Sequence, residues 1–190
     1  MNMMINSLPH KFYMFYTCKE RMLQQGVGVV VGKNVQFGKN VAVWNYTVIQ
    51  DNCMFGDNVV VGSFCDVGKD VHVGKNSVIQ AHCTISNQCK IGENVFIGPN
   101  TTLLNDRFPH SSKLRPVIIC DKVVVGGGVI VMPDVIIKEG AVVAGAAVVT
   151  RDVEAGTVVK TPGLPARPFM DRQEFDRKKL RYETGPNKVH

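Results

Sequence analysis

The chain has 190 residues, 45% of them hydrophobic and 20% charged, with a formal net charge of +6. That is one domain's worth of chain, and its basic residues are scattered rather than interleaved with aromatics, which argues against nucleic-acid binding and for a small-molecule protein with phosphate contacts. No apolar run reaches the roughly eighteen residues a membrane span needs, and the start lacks the charged-then-apolar pattern of a secretory leader, so no membrane attachment and a cytoplasmic location are expected.

Residues 1–28 carry no repeat and read as an N-terminal extension or cap. Within them Lys11 to Gln25 is rich in Phe, Tyr and Met and is expected to form a short helix before Gly26. Such a cap would cover strand edges at an open end of the domain. A leader without structure is the alternative for the first ten residues.

From Val31 the chain repeats every six residues. Val31, Phe37, Val43, Ile49, Phe55, Val61, Val67, Val73, Ile79, Ile85, Ile91, Ile97 and Leu103 are all aliphatic or Phe. A period of six belongs to neither an ordinary strand nor a helix and is the signature of a parallel β-helix. The residue after the apolar one is often Gly (Gly32, Gly38, Gly56, Gly62), and two positions on come Asn34, Asn40, Asn52, Asn58, Asp70, Asn76, Asn94 and Asn100. Asn and Asp tolerate the left-handed backbone of a sharp corner. A small or β-branched residue follows, and Cys53, Cys65, Cys83 and Cys89 all fall in that slot. They read as small core residues in a reducing compartment, not as redox or metal groups. Three repeats make one coil of about eighteen residues, and coils stack at roughly 4.8 Å.

The phase breaks at Leu103 and resumes at Ile119, Val125, Val131, Ile137, Val143 and Val149. Sixteen residues separate Leu103 from Ile119 where six would do, so ten are extra. They are expected to leave the coil at a corner as a loop over 106–117, the first place to look for function. The repeat domain spans 29–160, and a tail over 161–190 follows. Its three prolines near residue 165 cannot continue a ladder, and Phe169, Phe175 and Leu180 among many charges suggest a terminal helix over 169–183.

The hexads, the corner loop, the segment Ala141 to Val153 and the closing Pro162 to Pro168 (PGLPARP) resemble left-handed β-helix acyltransferases. Val43 to Ile49 (VWNYTVI), Ile79 to His82 (IQAH) and Asn100 to Pro109 (NTTLLNDRFP) are similar to one branch, the N-acetyltransferases of nucleotide-linked amino sugars that build bacterial surface glycans. The resemblance covers roughly residues 28–168. It implies an all-β, left-handed triangular prism and acetyl-CoA laid along a prism corner. It also implies a homotrimer with active sites between subunits. Two departures, His110 where the branch often carries Arg and His82 where many relatives carry Asn, leave the sugar open. Which nucleotide it bears, and whether a 3-amino or 4-amino group is acetylated, stay open too.

The register stacks candidate residues. Counting coils from Ile79 places His82, Asn100, Gly128 and Ala146 in one corner column, with His82 about 10 Å below Gly128 and about 14 Å below Ala146. Gly126 to Gly128 and Ala144 to Ala146 lack bulk, so a pantetheine arm is expected to reach backbone amides there. Asn100, Gly128 and Ala146, with Lys160 and Arg167 near the prism's end for the 3′-phosphoadenosine, are the expected CoA contacts. His82 and Asn105 are the expected catalytic pair, with His82 as base or as the group that orients the amine; a residue serving only the turn is the alternative. In a substrate-assisted route the proton passes instead to the departing CoA sulfur. Asn87, Asn105, Asp106 and His110 are the expected substrate contacts, suited to an amine and sugar hydroxyls; good loop chemistry alone is the alternative. His72 reads as a surface residue. Rival readings are an O-acetyltransferase, a non-catalytic scaffold, and a γ-type carbonic anhydrase, which needs three imidazoles around zinc. No metal is expected.

Overall fold

The protein is described by a computed structural model over residues 23–110 and 112–160, with isolated positions at 173, 174, 176, 177 and 180. Each hexad forms one short strand, and strands one coil apart pair in parallel. The result is a parallel β-solenoid of three sheets with eight, seven and six strands. The first sheet begins at Leu23–Gln25 and ends at Val158–Val159, the second runs from Val30–Val31 to Val148–Val149, and the third from Gln36–Phe37 to Ile136–Ile137.

The register follows the eighteen-residue coil. Ile79 lies over Val61 and under Ile97, Ile97 lies under Val125, and Val125 under Val143. The apolar slot therefore forms ladders that fill the interior, with Ile79, Ile97, Leu103, Val125 and Val131 fully buried. The small slot lines the same core: Val59, Cys89 and Val117 are also inaccessible. Burial of such a side chain stabilises by about 1.5–3 kcal/mol, and each coil gains it only against its neighbours.

The slot that holds cysteines is more than an apolar filler. The Cys53 thiol donates to the Gly68 carbonyl at 3.0 Å, in the place where Thr47 donates to Gly62 at 2.7 Å and Ser77 to Gly92 at 2.8 Å. All four repeat cysteines are buried and free, as their place in the repeat implies. The glycine after the apolar residue has a different cause. A Cβ on Gly56 would stand 2.7 Å from the Lys75 backbone nitrogen of the next coil.

The Asn corners behave as the sequence implies. Asn34, Asn40, Asn52, Asn58, Asp70, Asn76, Asn94 and Asn100 all have φ between 54° and 60°. At two of the three corners these side chains form ladders of their own, such as Asn34–Asn52–Asp70 and Asn40–Asn58–Asn76–Asn94.

Three expectations need correction. The short helix ending at Gln25 gives way, over the described residues, to a strand: Leu23–Gln25 pairs with Val41–Val43, so the solenoid starts before residue 29. Gln25 occupies the apolar slot, which hid this first repeat. The corner loop is also shorter than 106–117, because Val117 is fully buried in the small slot. Arg115 N–H donates to the Asn105 carbonyl and the Arg115 carbonyl accepts from Asp134, so the excursion closes on itself between these residues. Thirdly, most of the corner amides are already bonded, as described below. Of the terminal helix, Gln173, Glu174, Asp176, Arg177 and Leu180 have helical backbone. Five positions do not establish an element. The rest of residues 1–22 and 161–190, Arg167 included, lies outside the described residues.

Candidate functional site

The three corners differ in chemistry. The corner after the third sheet keeps its Asn ladder and then Lys122 and Gly140 in the left-handed position. The corner after the second sheet is the one interrupted by the loop. The corner after the first sheet departs most: its left-handed positions are Gly28, Tyr46, Phe64, His82, Asn100, Gly128 and Ala146. Bulky residues at positive φ are uncommon and worth a functional question.

The rings of that corner stack. Tyr46 and Phe64 have centroids 5.3 Å apart with 21° between planes, and Phe64 and His82 are 4.9 Å apart with 9° between planes. Tyr46 and Phe64 are both about half exposed, so burial is not what holds the aromatics there. His82 is exposed and lies at the top of this ladder. The sequence carried the signal in Tyr46, Phe64 and His82 at eighteen-residue spacing, but Tyr46 and Phe64 were not among the expected site residues.

Above His82 the column runs as the register requires, through Asn100, Gly128 and Ala146, all exposed. A Cβ on Gly128 would meet nothing nearer than Ala146 at 4.0 Å, so its glycine answers to φ 68° rather than to crowding. The amides of this column are not open to a ligand. His82 N–H donates to Ser63, Asn100 to Ala81, Gly128 to Pro99 and Ala146 to Gly127. Gly126 and Ala144 N–H are bonded as well. The corner offers a groove without bulk in which most donors are engaged, the Gly127 N–H making none of these coil-to-coil bonds. Lys160 follows the last strand of the same sheet directly and is exposed, one coil above Ala144.

Asn87 and Asn105 stack at the second corner, with Asn105 Nδ2 donating to the Asn87 carbonyl at 3.1 Å. The Asn87 side chain accepts from Lys69 N–H at 2.9 Å, the same bond that Asp51 makes to Lys33 and Asp57 to Lys39, so its oxygen serves the coil. Asp106 accepts from Phe108 N–H at 3.0 Å and so helps to shape the loop. His110 is exposed on that loop.

The structure does not bring His82 and Asn105 together within one chain. They stand at adjacent corners, with the second sheet between them. In one coil His82 and Asn87 are five residues apart, at most about 17 Å. Between them lies a shallow cavity of about 170 Å³ lined by Gln50, Asp66, Thr84, Ser86, Asn87 and Asn105. Sequence reasoning missed Gln50, Asp66, Thr84 and Ser86. Asp66 and Thr84 are outward residues paired in register on neighbouring strands. A second cavity, about 360 Å³, lies under the loop, lined by Arg107, Phe108, Lys113, Arg115 and Asp134. A third, about 440 Å³, includes His72 on the outer side of the third sheet, away from both corners. Among the described residues no three His, Cys, Asp or Glu side chains are grouped as metal ligands would be. No helix among them is long and apolar enough to cross a membrane.

Burial acts on the thiols beneath the site. It pushes the Cys89 thiol up to about 11, and Cys83 is raised first by its hydrogen bond with the Cys65 thiol and then by burial. Neither Cys83 nor Cys89 is poised to act as a nucleophile.

Comparison with known proteins bears on this geometry. The bacterial transferase hexapeptide (six repeats) family matches residues 55–87 and 70–105. The dTDP-4-amino-4,6-dideoxy-D-glucose acyltransferase of Escherichia coli is 45% identical over 58 residues, 30% of this chain and 29% of that one. The 2,3,4,5-tetrahydropyridine-2,6-dicarboxylate N-acetyltransferase of Staphylococcus aureus (strain bovine RF122 / ET3-1) is 44% identical over 59 residues, 31% of this chain and 24% of that one. The chain thus spans about a quarter of the length of these curated relatives. Among solved structures, the UDP-N-acetylglucosamine acyltransferase of Francisella novicida superposes with a TM-score of 0.51 at 20% identity, covering 87% of this chain and 74% of that one, a likeness of fold. The chain therefore carries the hexapeptide repeat of the bacterial transferases and resembles the acyltransferases built on it.

Proposed function

We propose that this protein transfers an acetyl group from acetyl-CoA to the amine of a nucleotide-linked amino-deoxy sugar, the 3-amino or 4-amino kind used in surface glycans. The observation that carries the reading is the first corner, where an aromatic ladder ends in exposed His82 beneath a groove that lacks bulk. Relatives named as an amino-sugar acyltransferase and an N-acetyltransferase support it. In this reading the coil is left-handed and triangular, the enzyme is a cytoplasmic homotrimer, and each site lies between two subunits. The neighbour is what brings the loop corner of one chain towards the His82 corner of another.

The chemistry assigns each group a task. The thioester lies in the groove past Asn100, Gly128 and Ala146, about 14 Å of column from His82 to Ala146, with Lys160 and Arg167 near the 3′-phosphoadenosine. The sugar lies towards Asn87, Asn105, Asp106 and His110. Its neutral amine attacks the thioester carbonyl, a C–N bond forms and the C–S bond breaks. His82 takes the proton the amine loses, and CoA leaves as the thiolate, which is then protonated. Phe64 lies flat against the imidazole and fixes its plane, so the acceptor nitrogen points at the amine rather than sweeping through solvent.

The test measures CoA release against a panel of nucleotide-linked 3-amino and 4-amino sugars. Substituting His82→Ala lowers kcat/KM by about a hundredfold or more, the scale of general-base catalysis. If it stays within about threefold, the proton leaves by the substrate-assisted route. A protein that binds no acetyl-CoA at all is not a transferase of this kind.

A further inference from the structure

The loop cavity adds a binding site of its own chemistry. Arg107, Lys113 and Arg115 line about 360 Å³, with Asp134 as the carboxylate among the lining residues. The lining thus carries three cationic side chains and one carboxylate. Arg115 is partly neutralised by Asp134, Nη1 to Oδ1 at 3.8 Å, with both side chains about half exposed. Phe108 lies against the same space and is 76% exposed, a large apolar ring held in water. The loop is not loosely hung. The Arg115–Asn105 and Asp134–Arg115 backbone bonds fix its base, and the Asp106 carboxylate fixes its first turn.

We propose that this pocket binds the diphosphate of a nucleoside diphosphate group, with Arg107 and Lys113 on the phosphate oxygens and the Phe108 ring against the base. This rests on the acceptor reading above and names the part of the acceptor the loop holds. Three points carry it. A cavity of this size falls within the range of small-molecule sites. Guanidinium and ammonium groups converging from one loop suit a polyanion, and an exposed ring beside them suits a flat base. The neighbouring 170 Å³ cavity is lined by hydroxyl, amide and carboxylate groups, with Asn105 lining it just before the loop begins. Sugar-type and phosphate-type chemistry thus adjoin at one corner.

CoA also carries phosphates, so the experiment separates the two sources. Calorimetric titration of the full-length protein with UDP, dTDP and CoA is compared with the double variant Arg107→Gln/Lys113→Gln, whose folding is checked by its far-ultraviolet spectrum and Tm. The expected result is a loss of roughly tenfold or more in UDP or dTDP affinity, since each charge-assisted bond carries about that much, with CoA affinity within about twofold. Phe108→Ala weakens the same nucleotide and not inorganic pyrophosphate. The proposal is overturned if CoA affinity falls and UDP and dTDP affinity does not, if neither changes, or if the wild-type protein binds neither UDP nor dTDP. A wild-type protein that fails to bind CoA refutes the transferase reading instead, and the nucleotide titration still reads the loop.

Discussion

Replacing Phe64 by Asn separates what the fold requires of the first corner from what the site requires. Phe64 stacks on Tyr46 and on His82, and each aromatic contact contributes about 0.5–1.5 kcal/mol. Losing both costs about 1–3 kcal/mol. Against this, Phe64 sits at φ 59°, a conformation that costs an L-residue about 1–2 kcal/mol and that Asn tolerates better. Asn fills the equivalent place at Asn34, Asn52 and Asn76 without difficulty. The two effects largely cancel, so Phe64→Asn destabilises by no more than about 2 kcal/mol, a Tm change of at most about 8 °C for a chain of this size. Activity should respond quite differently. With no ring beneath it His82 samples other rotamers, and kcat falls about tenfold while KM for acetyl-CoA moves less than about twofold. Phe64→Tyr keeps the ring and restores kcat. Circular-dichroism melting and a thiol-release assay measure both quantities on the same samples. A Tm drop beyond about 15 °C would show that the ladder is a staple of the fold. Wild-type kcat in a folded Phe64→Asn protein would show that the ring does not hold the imidazole.

Other predictions address the scaffold. Cys89 is stacked between Val71 and Val117, and burial raises its thiol to about 11 from an ordinary value near 9. A raised pKa gives stability that is complete below pH 9 and is lost as pH climbs towards 11, by up to about 2–3 kcal/mol. Cys89→Val should leave urea midpoints unchanged at pH 7 and abolish most of that alkaline loss; a parallel decline in the variant would refute it. Six cysteines less four buried leaves two, so Ellman's reagent should titrate at most two thiols in native protein at pH 8 and six in guanidinium. Ile97→Ala, in mid-stack between Ile79 and Val125, should cost about 3–5 kcal/mol, whereas Val31→Ala, 37% exposed near the start of the stack, costs about 1. Equal losses at the two sites would contradict a stack stabilised by its neighbours. Deleting residues 106–115 together with Pro116→Gly, since proline cannot take the left-handed position that the closed corner requires, should leave the far-ultraviolet spectrum and Tm nearly intact while abolishing turnover.

Much of this was legible in the chain. Each apolar stop from Ile49 to Leu103 stands in the core, because a six-residue period admits one arrangement in which all of them are inside. The Asn and Asp positions marked the corners because the left-handed backbone selects them. The column from His82 to Ala146 followed from counting alone, as did the stacking of Asn105 on Asn87. Three matters were not legible. Gln25 occupies an apolar slot, so the first strand had no sequence signal and was recognisable only by its pairing with Val43. The amides of the groove looked available from the run of Gly and Ala, but hydrogen bonding is settled between coils, and the ladder uses most of them. Arg107, Phe108, Lys113 and Arg115 share a cavity because the loop folds back on Asn105, a closure that no periodicity describes.

The sequence by itself determined the period, the inward face, the corner positions and the place of the insertion, since each depends on the local preference of one residue in a repeated frame. The tertiary structure decided how closely the outward side chains of successive coils approach and where the insertion folds back, and so which side chains meet. Tyr46, Phe64 and His82 are eighteen residues apart in the chain and 4.9–5.3 Å apart as stacked rings. That contact exists only because successive coils lie one strand spacing apart, close enough for aromatic faces to touch.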